Sequence, residues 1–100
     1  MTDQEITKLC AGAMGITLRY SAQGEPYFSE GDYRPLHDDA QAMALVKTFY
    51  LDIYYLMPFN DGDPWSWRVR GTIEGWEKTE GQDLNRCICE CVAKMQGAKP

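Results

Sequence analysis

No segment of this 100-residue chain approaches the roughly 20 consecutive apolar residues that a helix needs to cross a bilayer. Its opening, MTDQEITKLCAGAMG, lacks the basic start and unbroken apolar run of a secretory signal, so a cytosolic protein with no membrane partner is expected. Basic charge is also scarce: 10 Lys and Arg stand against 15 Asp and Glu, a net charge of −5. Affinity for nucleic acid comes mainly from neutralising phosphates with Lys and Arg, so this balance argues against general nucleic-acid binding and favours a basic or uncharged partner. Histidine occurs once, and the nucleophile-elbow, Walker and dinucleotide-binding glycine patterns are all absent. Neither catalytic residues nor a cofactor are therefore expected.

What is present suits one domain spanning 1–100: 44% of the residues are hydrophobic and 12% aromatic. A chain of this length buries roughly 60–70% of its unfolded surface and needs no covalent staple. Thr2 and Glu5 have capping-box spacing, and Ile6, Leu9, Cys10 and Ala13 follow at helical intervals up to Gly15. A helix over 3–14 follows from this. The alternation of ITLRY and the turn residues of SAQGEP predict a hairpin over 16–29, and EGDYRPLHDD then reads as a loop. Asp38 and Asp39 place negative charge at the start of a second helix, 38–50, whose apolar residues Ala42, Met43, Leu45, Val46 and Phe49 span a wide arc that predicts extensive burial. Strands are expected at 51–57, 65–71 and 72–76, with FNDGD forming a turn, and a last helix at 83–96. The fold class that results is α+β: one layered domain, a mainly antiparallel sheet of three to five strands packed with three helices.

Three of the four cysteines lie within RCICEC. At 100° per residue, Leu84, Cys87, Ile88, Cys91, Val92 and Met95 share one stripe of the last helix, while Cys89 points away from it. Thiolates must converge within about 2.3 Å of one zinc ion, and the three of this segment could do so only if the helix unwound, so no metal site is expected; the alternative is a site with Cys87 and Cys91 as two ligands and Cys10 and His37 as candidates for the rest. Cys10, Cys87 and Cys91 are expected as core thiols between the first and last helices, and Cys89 as more exposed. Trp65 and Trp67 share a strand face with Val69 and are expected in the core.

If the strands form one sheet, alternation puts Arg19, Asp52, Tyr54, Arg68, Arg70, Glu74 and Trp76 on its other face. Two readings are open. In the plainer one this is a solvated face, with Arg68 and Arg70 paired to Glu74 and Asp52. In the other, Arg19, Tyr54, Arg68, Arg70 and Trp76 form a binding face, because arginine and aromatic residues supply many interface contacts. Arg34 and His37, in the loop before the second helix, are further binding candidates.

At LCAGAMG, PLHDDAQAMALVK and DLNRCICECVAKMQ the chain resembles the phage ABA sandwich domain family of small bacteriophage and prophage proteins. That resemblance implies a layered domain of phage origin working in the host cytoplasm, with no shared activity or catalytic residues to carry over. The leading expectation is a non-enzymatic phage accessory protein that binds a host or phage macromolecule, with inhibition of a host antiviral defence as one such role. One alternative is a protein that sequesters a nucleotide signal, with Arg19, Arg68 and Arg70 on phosphates, Tyr54 or Trp76 against the base and a homodimer closing the site. The other is a small enzyme, which a cleft joining His37 to a carboxylate or to Cys89 would favour.

Overall fold

The computed structural model describes residues 1–58, 61–71 and 78–96. It contains three helices and two three-stranded antiparallel sheets, an α+β domain. In chain order the elements are α1 (Asp3–Ala13), β1 (Arg19–Tyr20), β2 (Pro26–Phe28), β3 (Gly31–Asp32), α2 (Asp39–Phe49), β4 (Asp52–Leu56), β5 (Ser66–Arg70), β6 (Lys78–Gly81) and α3 (Leu84–Met95).

Each helix begins at a residue whose side chain satisfies an orphan N–H of the first turn. The Thr2 hydroxyl accepts from the Glu5 N–H at 3.2 Å, the Asp38 carboxylate from Gln41 at 2.9 Å and the Asp83 carboxylate from Arg86 at 3.2 Å. After α1, Gly15 takes φ +71°, a left-handed conformation open to glycine without strain. Tyr50 closes α2 at φ 52°.

The strands divide where a single sheet was expected. β1, β2 and β3 form one small sheet, and β4, β5 and β6 the other. Arg19, opposite Tyr27 on β1, therefore does not share a face with Arg68 and Arg70. The loop expected after Phe28 contains β3, and the segment expected to lead into the last helix is β6. The predicted strand 72–76, with Glu74 and Trp76, lies outside the described residues.

The last helix is the hub. α3 lies against α1, α2, β5 and β6, and its Ile88, Cys91 and Val92 are fully buried together with Ile6 and Cys10 of α1, Leu45 of α2 and Val69 of β5. Burying side chains the size of Leu45, Ile88 and Val92 stabilises the fold by about 1.5–3 kcal/mol each. Polar contacts tie the same elements at the surface: Arg86 donates to Asp3 at 2.7 Å and Asn85 to Asp39 at 2.8 Å.

Three side chains depart from expectation. Cys89 is fully buried, because α3 is covered on several sides and has no solvated back at that position. α2 buries less than its composition predicts: only Ala42 and Leu45 are buried and Met43 is 40% exposed, since α2 rests on α3 along one stripe. Trp65 is 47% exposed rather than core. Its face is the expected one, but its cover is missing. Cys87, in the first turn of α3, has its Sγ 4.0 Å from the Trp67 carbonyl oxygen and close against Gly81, whereas Met95 at the other end touches Gly71. α3 thus spans the strand from Trp67 to Gly71. Trp65, two residues or about 6.6 Å further along, lies beyond the start of the helix.

Candidate binding surfaces

The two faces of the β4–β5–β6 sheet differ in chemistry because side chains alternate along each strand. One face carries Asp52, Tyr54, Arg68, Arg70, Lys78 and Glu80. Register sets Asp52 opposite Arg70 and Arg68 opposite Glu80, and both pairs form salt bridges, at 3.1 and 2.8 Å. Arg68 thus meets Glu80, not Glu74. Arg70 also donates to the Tyr54 hydroxyl at 3.0 Å, with its guanidinium carbon 5.5 Å from the Tyr54 ring centroid. The plainer sequence reading describes this face well: a phosphate reaching either guanidinium would have to compete with a carboxylate already in place.

The opposite face begins in the core at Val69, continues through half-buried Trp67 and emerges at Trp65. β6 ends at Gly81, opposite Trp67, so past that point the described sheet narrows to β4 and β5. Tyr55 pairs with Trp67 across the ladder and lies 4.5 Å from it and 4.7 Å from Trp65, centroid to centroid, the latter nearly parallel at 19°. Met57 continues the alternation. Tyr55 is 56% exposed and Met57 72%. From half-buried Trp67 outward, these side chains form an apolar platform whose outer members, Tyr55, Met57 and Trp65, are left exposed. An exposed patch of this kind on a small acidic domain is a reason to look for a partner.

Arg34 and His37 come together elsewhere, in a cleft of about 500 Å³ between the first turns of α1, the β1–β2 turn and the segment after β3. Asp3, Glu25, Tyr20 and Tyr33 also line it. Asp3 is engaged by Arg86, and among the described residues no hydrogen bond joins the His37 side chain to a carboxylate. Arg19 borders a separate depression with Tyr27 and Glu30. The seven candidates from sequence are therefore scattered: Tyr54, Arg68 and Arg70 share one face, Arg34 and His37 share the cleft, Arg19 stands apart and Trp76 is not described.

The thiols offer no accessible nucleophile. All four are buried. The neighbouring Cys10 thiol and burial push the Cys89 thiol well above its ordinary range, and burial pushes up Cys87. Burial, with both Cys10 and Cys89 nearby, likewise raises the Tyr33 hydroxyl. Among the described residues no cluster of His, Cys, Asp and Glu suits a metal ion.

Sequence reasoning missed the platform. The alternation of Ile53, Tyr55 and Met57 against Trp65, Trp67 and Val69 places these side chains on one face, but which end of that face α3 leaves open is set by where the helix begins along β5. Comparison of the chain with protein-family models, curated proteins and solved structures returns no match.

Proposed function

We propose that the protein is a non-enzymatic accessory protein that acts by occupying a macromolecular partner, and that the platform of Tyr55, Met57, Trp65 and Trp67 is the surface it uses. The observation that carries this reading is the 47% exposure of Trp65, stacked on an equally open Tyr55, at a position whose strand neighbours Trp67 and Val69 are drawn progressively into the core. Aromatic side chains left in water in this way dominate binding energy once a partner covers them. The resemblance of the helical segments to phage proteins indicates where to look: a host or phage protein in the infected bacterial cytoplasm, with components of antiviral defence among the first to test.

The nucleotide-sequestering alternative needs guanidinium groups at the disposal of phosphates, and Arg68 and Arg70 are each held by a carboxylate. The enzyme alternative needs His37 aligned with an acid or a thiol, and neither alignment is present among the described residues.

The direct test immobilises the parent protein and a Tyr55→Ser/Trp65→Ser variant and passes bacterial lysate over both. The expected result is a partner retained by the parent and lost by a variant that still unfolds cooperatively. Equal retention by the two would remove the platform as the binding surface.

A further inference from the structure

Continuing from the platform as the binding surface, we propose that its occupant is an extended, arginine- or lysine-bearing segment of a protein partner. The turn that delivers Trp65 to the platform is acidic: Asp61 and Asp63 flank Gly62, Pro64 follows, and both aspartates are exposed. Asp63 stands two residues before Trp65, so the two Cα atoms are within about 7 Å of each other. Among the described residues neither aspartate belongs to a salt bridge, whereas Asp52 and Glu80 on the opposite face are each paired with an arginine. The acids on the Arg68 and Arg70 face are thus used internally, while those of the turn that leads into Trp65 stand exposed.

A guanidinium or ammonium group is attracted to the face of Trp and Tyr rings and to a carboxylate, and the chain sets an exposed carboxylate, Asp63, two residues from an exposed ring, Trp65. An extended segment suits the platform's shape, because its side chains repeat every two residues, as the rings do along β4 and β5. The charge also discriminates among other occupants. A second copy of the chain, related by a two-fold axis, would bring the acidic turns of both molecules to one interface, and a nucleic acid would set phosphates against them.

The test uses the whole protein and three fluorescently labelled peptides of equal length, alternating proline with arginine, with glutamine or with glutamate. Anisotropy titrations are run on the parent, on Asp61→Asn/Asp63→Asn and on Tyr55→Ser/Trp65→Ser. The arginine peptide is expected to bind the parent, to weaken as salt is raised, and to bind each variant at least about tenfold more weakly, with the glutamate peptide not binding. Equal affinity for the glutamine or glutamate peptide, unchanged affinity in the asparagine variant, or no binding by the arginine peptide would each overturn the basic-partner proposal. A glutamine peptide that binds the parent but not Tyr55→Ser/Trp65→Ser would leave the platform standing while removing the role of the acids. Sedimentation showing a dimer that this serine variant abolishes would assign the surface to a second copy instead.

Discussion

The thiol of Cys10 donates a hydrogen bond to the backbone carbonyl oxygen of Cys89 across 3.4 Å, joining α1 to α3 at a point where both residues are fully buried. Contact this close requires small side chains on both helices. Cys89→Leu adds volume with nowhere to go and is expected to destabilise the domain by about 1–3 kcal/mol. Urea unfolding of the purified variant measures this; a midpoint equal to the parent's would mean that Cys89 faces solvent after all.

Alkali should weaken the fold. Below the ordinary thiol pKa of about 8.5 the folded and unfolded chains both keep the Cys89 proton, and its contribution is present in full. As pH rises through the interval between the unfolded and the raised folded value, the unfolded chain releases the proton and the folded chain retains it. Stability then falls by up to about 1.4 kcal/mol per pH unit for this one thiol. Urea midpoints at neutral pH and between pH 9 and 10 should show the decline, and Cys89→Ala should make it shallower, the raised Cys87 thiol and Tyr33 hydroxyl accounting for what remains. A parent midpoint that holds constant across that interval contradicts the assignment.

The two tryptophans of β5 should separate in their effects. Trp67→Ala removes a ring packed on the core and is expected to cost about 3 kcal/mol, the low end for a buried aromatic because the ring is only half buried. Trp65→Ala should stay within about 1 kcal/mol, as surface changes usually do. Thermal melts of the two variants decide it; a larger loss for Trp65→Ala would mean that it is buried in solution.

Changing Arg68 and Arg70 together to Ser tests the opposite face. Both salt bridges are about 40% exposed, where such pairs contribute roughly 0–1 kcal/mol each. The double variant should therefore remain folded and keep any partner captured through the platform. Loss of that partner from a folded variant would move the binding site to this face.

The helices were legible because their signals are local: Thr2, Asp38 and Asp83 cap the N-termini, and the apolar spacing of each helix requires only its own residues. Cys89 was misread because helical periodicity separates one side from another but does not count the neighbours; α3 is covered by α1, α2 and the sheet, which no property of RCICEC reveals. Trp65 failed for the converse reason. Alternation placed it on the correct face, but whether a face is covered depends on where α3 begins relative to β5. The division into two sheets depends likewise on long-range pairing, so Arg19 was grouped with arginines it does not meet.

The central place of α3 bears on how the chain acquires its structure during synthesis. Residues 84–95 complete contacts with α1, α2, β5 and β6 alike, so a nascent chain that has emerged only through residue 83 holds the sequence of its first two helices and its strands but lacks the element their apolar sides close upon. Helical segments as short as these are marginal in water on their own. Folding should therefore be a late event, completed in one step when the cysteine-rich helix leaves the ribosome, and a chain truncated before Leu84 should show no cooperative unfolding transition. Until then the growing polypeptide exposes the apolar surface that chaperones recognise.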